Sequence, residues 1–120
     1  MALKVFLEKI VGENCASIDD GYKVLNLVRP ELVKGYTVEL DFEGVKLVLT
    51  PFLNTSFGKL LEQFGRDMTM THISMKNISN EFLQRINSFI NKKEAEFTQS
   101  HDREMMQEMF DEDGIVDSGL

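Results

Sequence analysis

Residues 37–64, TVELDFEGVKLVLTPFLNTSFGKLLEQF, hold a strand, a turn, a second extended stretch and the start of an amphipathic helix. Val38, Leu40 and Phe42 alternate with Thr37, Glu39 and Asp41, which is the two-residue period of a strand with one face against a core. Glu43-Gly44 supplies a turn, and residues 45–49 extend again. Thr50 is then placed to act as an N-cap, with Pro51 at the first helical position, where its missing N–H costs nothing. Phe52, Leu53, Phe57, Leu60, Leu61 and Phe64 fall on one helical stripe over residues 51–64, and Gly58 leaves room for a close neighbour.

Toward the N-terminus, Leu3, Val5 and Leu7 alternate with Lys4 and Glu8, predicting a short strand followed by a connector over residues 12–16. Ser17 and Asp20 have the spacing of a capping box, and Val24, Leu25, Val28 and Leu32 line one side of a helix that should end at Gly35. Pro30 lies within that pattern and predicts a kink or break near Arg29. Toward the C-terminus, Gly65 should stop the second helix. Residues 71–76 read as a third strand, with Ile73 and Met75 inward and His72 and Ser74 on the opposite side. Ser79 is placed to cap a last long helix carrying Phe82, Leu83, Ile86, Phe89, Ile90 and Phe97 at helical spacing.

The resulting order is β-α-β-α-β-α, an α/β fold with a small, mostly parallel sheet joined by right-handed crossovers. The segment 37–42 alternates where a strand buried on both faces would be apolar throughout. The helices are therefore expected mainly on one face of the sheet.

With 120 residues, 42% of them hydrophobic, the chain has material for one domain with a real core, assigned to residues 1–97. Those residues carry 12 Lys/Arg against 13 Asp/Glu, whereas residues 98–120 carry Arg103 against seven acids, so the net charge of −7 resides almost wholly in an acidic C-terminal tail. No basic cluster exceeds the pair Lys92-Lys93, which argues against a nucleic-acid groove. Within the tail, Met105, Met106, Met109 and Phe110 fall at i, i+1, i+4 and i+5, the spacing of a short helix with a soft apolar face and a candidate partner-binding surface.

Cys15 stands alone, so neither an intramolecular disulfide nor a thiolate metal site is expected, and a reducing, cytoplasmic setting fits. The opening residues do not form a secretory signal, and no apolar run has the length of a membrane span. Glu39 and Asp41 project from the outer face as solvated charges, and with Glu43 they make only a row, whereas a hard cation wants several converging oxygens. His72 and His101 lack a partner at ligand spacing, and Cys15 lacks an activating neighbour. Without a phosphate-cradling glycine loop, a nucleophile elbow or a metal-binding HExxH, the chain reads as a non-enzyme with no cofactor and no metal.

Gly12-Glu13-Asn14, Asp20-Gly21, the run Val38-Glu39-Leu40-Asp41-Phe42-Glu43-Gly44-Val45, Pro51-Phe52-Leu53-Asn54 and Gly58-Lys59-Leu60 together resemble the bacterial STAS-like family of unknown function. That family is distantly related to anti-sigma-factor antagonist (STAS) domains, and the resemblance runs over residues 5–97. It implies a small sheet covered by helices and a regulatory Ser or Thr where a strand passes into a helix. In STAS domains, as the resemblance implies, a GHKL-type kinase, itself the anti-sigma factor, phosphorylates that hydroxyl and turns binding off. Laid on this chain, the junction makes Thr50 the candidate phospho-acceptor, with Asn54 and Ser56 as candidate partner-binding residues beside it. Leu49 and Pro51-Phe52 stand where STAS acceptors are commonly flanked by Asp and by a small residue and Gly. The resemblance thus implies a cytoplasmic protein–protein interaction module with a GHKL-type ATPase or kinase as partner. A second function class is an accessory component of a mobile-element or defence-type system that binds its partner through the acidic, Met-rich tail.

Overall fold

The computed structural model describes residues 2–110, with side chains described over residues 3–96. The elements run β1 (Ala2–Phe6), α1 (Leu7–Val11), β2 (Asn14–Cys15), α2 (Ile18–Val33), β3 (Thr37–Asp41), β4 (Leu47–Val48), α3 (Thr50–Thr55), α4 (Phe57–His72), β5 (Ile73–Lys76) and α5 (Asn80–Phe110). Strands β1, β3 and β5 form a parallel sheet with β3 in the middle. The register aligns Leu3 with Val38 and Ile73, and Val5 with Leu40 and Met75. These two rows face the core, where α2 and α4 pack against β3.

The alternate rows, Lys4–Glu39–Ser74 and Phe6–Asp41–Lys76, form the other face, on which Lys4, Phe6, Ser74 and Lys76 are exposed. Because the strand order advances in one direction, successive right-handed crossovers return on the same side, so one face is covered and the other stays wet. The fold class read from the alternation at residues 37–42 is therefore the observed one.

Several local features follow the chemistry of their residues. The Ser17 hydroxyl accepts from the Asp20 N–H at 3.0 Å and starts α2. Gly35, with φ of 80°, ends it: its N–H bonds the Leu32 carbonyl and the Tyr36 N–H bonds the Glu31 carbonyl, both at 2.9 Å, the paired bonds of a Schellman motif. Ser79 accepts from the Phe82 N–H at 3.2 Å and opens α5.

Other features correct the sequence reading. α2 runs through Pro30 without a break; Pro30 and Asn26 are both exposed, so the ladder carbonyl that loses its partner is open to water. Residues 12–16 are more than a connector, since Asn14 and Cys15 pair in parallel with Leu47 and Val48 as a second, two-stranded sheet. The helix expected over residues 51–64 is two helices, broken at Ser56, whose φ and ψ are −104° and −86°. Gly65, at φ 82°, ends the first part of α4 as expected, but a further helical stretch follows and places His72 at its end and not on a strand. The His72 Nδ1 lies 3.1 Å from the Met68 carbonyl.

The core is built from Leu25, Val28 and Leu32 of α2, Leu40 of β3, Phe52 and Leu53 of α3, Phe57 and Leu60 of α4, and Ile86 and Ile90 of α5. Gly58 lets the Phe89 ring of α5 pack closely on α4: a Cβ there would sit 3.4 Å from both the Leu53 carbonyl oxygen and the Phe89 ring. α5, at 31 residues, is about 46 Å long at 1.5 Å per residue.

Candidate functional site: a clamped strand-to-helix junction beside a basic groove

The junction between β4 and α3 is held from two distant parts of the chain. The Lys46 N–H bonds the Glu13 carbonyl at 2.7 Å and the Leu49 N–H bonds the Cys15 carbonyl at 2.9 Å. From the other side, the Arg85 Nη1 donates to the Val48 carbonyl at 2.9 Å. Leu49 is thereby kept extended, with φ −119° and ψ 159°, and its own carbonyl accepts from the Leu53 N–H at 3.2 Å. Leu49 is thus the N-cap, Thr50 occupies the first helical position and Pro51 the second. The expected Thr50 cap is corrected by one residue. Pro51 is still accommodated, because the second N–H of a helix also lacks an intrahelical acceptor. The Thr50 side chain is exposed, and among the described residues its hydroxyl makes no hydrogen bond.

Thr50 and Asn54 lie on one wall of an open groove of about 460 Å3 between α3 and α5. Leu53 and Phe89 contribute apolar surface to it, and Arg85, Lys92 and Lys93 form a basic wall from α5, with Glu96 at its end. Lys93 lies 5.9 Å from the Phe89 ring centroid and 3.4 Å from the Glu96 carboxylate, and Arg85 reaches Glu81 at 3.4 Å. Lys92 has no ion-pair partner among the described residues. The basic wall was not singled out from the sequence. Its signal is the spacing 85, 89, 92, 93, 96, a single helical stripe, but only the fold brings Arg85 and Lys92-Lys93 beside residue 50.

Ser56, a candidate contact residue, is corrected: it is 1% exposed and its hydroxyl donates to the Phe52 carbonyl at 2.8 Å. At the break between α3 and α4 the Phe52 carbonyl thus accepts twice from one residue, from the Ser56 hydroxyl and from the Ser56 N–H at 3.1 Å. Thr55 is likewise buried and donates to the Ile18 carbonyl at 2.8 Å, tying α3 to α2. The side chains of Phe97, His101, Met105, Met106, Met109 and Phe110, and all of residues 111–120, lie outside the described residues.

The family model described as STAS-like domain of unknown function (DUF4325) matches residues 20–82, just over half of the chain. The chain belongs to that family. No curated protein matches this STAS-like chain, and no solved structure does. The matched stretch spans α2 to the first turn of α5, so it contains the junction and the α3 wall of the groove, while the basic wall lies beyond it.

Elsewhere in the STAS-like domain the ionisable groups have structural explanations. Asp41 belongs to the outer row of the sheet yet is 3% exposed, which corrects its reading as a solvated charge. Its Oδ1 accepts from the Asn77 amide at 3.0 Å and from the Glu43 N–H at 2.9 Å. The Asn77 bond first, then the Glu43 bond, with a smaller contribution from the Lys4 charge, hold the Asp41 carboxyl below its ordinary range. Because the folded value is depressed, the stabilisation is present above the unfolded value near 4 and is lost as pH falls through the folded one. Wild type should therefore exceed Asp41→Asn in its urea midpoint at neutral pH, with the gap closing in acid. A gap that does not change with pH would show that the carboxylate charge is not what the two donors hold.

The Cys15 thiol is fully buried and is pushed up to about 12, by desolvation first and the Asp20 charge second, so it is inert as a nucleophile at neutral pH. Among the described residues there is no group of three or more His, Cys, Asp or Glu placed to hold a metal ion. Among the same residues no helix is long and apolar enough to cross a membrane.

Proposed function

We propose that this STAS-like domain is a non-enzymatic regulatory module of the bacterial cytoplasm that docks a protein partner at the groove between α3 and α5. In this reading phosphorylation of Thr50 switches docking off. The observation that carries it is the placement of the exposed Thr50 hydroxyl, without a hydrogen bond among the described residues, at the groove wall and on a junction fixed by the Cys15 carbonyl and by Arg85. A phosphate there adds a charge of about −1.5 to −2 to the docking surface. The family relationship to anti-sigma-factor antagonists points to a GHKL-type ATPase or kinase as the partner.

The test is to incubate the chain with such a kinase and ATP and to locate phosphate by mass spectrometry. Modification at Thr50, absent in Thr50→Ala, is expected, together with loss of partner binding in Thr50→Asp. Thr50→Ala should otherwise leave stability within about 0.5 kcal/mol of wild type, because Leu49 and not Thr50 is the N-cap. A loss near 1 kcal/mol in chemical denaturation would instead reveal a capping hydroxyl. If no phosphate appears on residues 50–56 and Thr50→Asp binds as wild type does, the switch is discarded.

A further inference from the structure

We propose that the groove between α3 and α5 receives the acidic C-terminal segment, residues 98–120, of a second copy of this chain. The inference rests on the groove being a docking surface, and it names an occupant. Three cations and one acid line the groove, on a protein whose net charge is −7. The segment offers the complement: seven acids against Arg103, with Met105, Met106, Met109 and Phe110 among them to meet the apolar surface of Leu53 and Phe89. Flexible thioethers and an aromatic ring suit an open, partly apolar groove, and carboxylates suit Arg85 and Lys92.

The acidic run Asp111-Glu112-Asp113 cannot reach its own groove while α5 stays helical to Phe110. From Phe110 back along the axis to Lys93 is about 26 Å, and to Arg85 about 37 Å. Asp111, Glu112 and Asp113 follow directly after that end, and three extended residues reach only about 10 Å. Asp117, fully stretched, reaches about 25 Å, level with Lys93 at the near end of the groove but short of Arg85. For the run Asp111-Glu112-Asp113, docking in trans is the arrangement that the helix length permits. Phosphate on Thr50 would place negative charge in the same groove and expel the segment, so self-docking and the Thr50 switch act on one surface.

Sedimentation of the full chain over a concentration series should show self-association at low ionic strength that disappears at high salt. The variant Lys92→Glu/Lys93→Glu should associate about tenfold more weakly, as should Asp111→Lys/Glu112→Lys/Asp113→Lys. Mixing the two variants should restore association, since each then offers the charge that the other lacks, and that rescue also excludes misfolding as the cause. A chain that stays monomeric at low salt overturns the inference, as does association indifferent to both reversals. Binding of the isolated 98–120 peptide to a chain that remains monomeric overturns it too, and assigns the groove to a foreign acidic partner. None of these failures touches phosphorylation of Thr50, and absence of phosphorylation leaves self-docking standing.

Discussion

Gly21→Ala is expected to lower the stability of the domain by about 3 kcal/mol, against the usual sign for a glycine replaced inside a helix. Gly21 is buried in the first turns of α2, facing α3. An ideal Cβ on it would collide with the Thr55 hydroxyl and stand 2.5 Å from the Phe52 carbonyl oxygen. The hydroxyl is committed to the Ile18 carbonyl, and the carbonyl is backbone that already accepts from both the N–H and the hydroxyl of Ser56. Neither can move without parting α2 from α3. Helix propensity alone would favour alanine by about 1 kcal/mol, so the direction of change decides between the two effects. A urea midpoint raised by Gly21→Ala would mean that α2 and α3 are not packed this closely.

Phe52→Ala should cost about 3–5 kcal/mol, the range for emptying a fully buried aromatic site. Phe52 is 1% exposed and lies two residues after Thr50, on the core side of α3. A domain of this size commonly has about 5–15 kcal/mol in total, so the variant should lose a large share of its stability. Thermal unfolding of Phe52→Ala beside Thr50→Ala would resolve the two sides of one short helix. Comparable losses at both positions would mean that residue 50 is also part of the core.

Much of the architecture was legible because it is local. The alternation of Val38, Leu40 and Phe42 announced a sheet wet on one side, and Ser17, Gly35 and Ser79 marked helix ends through bonds that span a few residues. The break at Ser56 was hidden, because Phe52, Leu53, Phe57 and Leu60 keep helical spacing across it and no Gly or Pro marks the place. The shift of the α3 cap has a tertiary cause. Threonine outranks leucine as a cap, but the Cys15 carbonyl holds the Leu49 N–H and fixes Leu49 as the last extended residue. The groove was legible only in part. Thr50 and Asn54 could be read from the strand-to-helix transition, whereas Arg85 meets the Val48 carbonyl across 37 residues of sequence, a distance that no periodicity spans.

The tethering of residues 48 and 49 from two distant segments bears on the thermodynamics of recognition. Segments around residues 15, 48 and 85 are drawn together as the domain folds, so the loss of chain entropy at this point accompanies folding and not binding. Under the proposed docking, a partner meeting Thr50 would find a preorganised surface. Its affinity need not offset the ordering of a loop, and its complex should carry a correspondingly small entropic penalty.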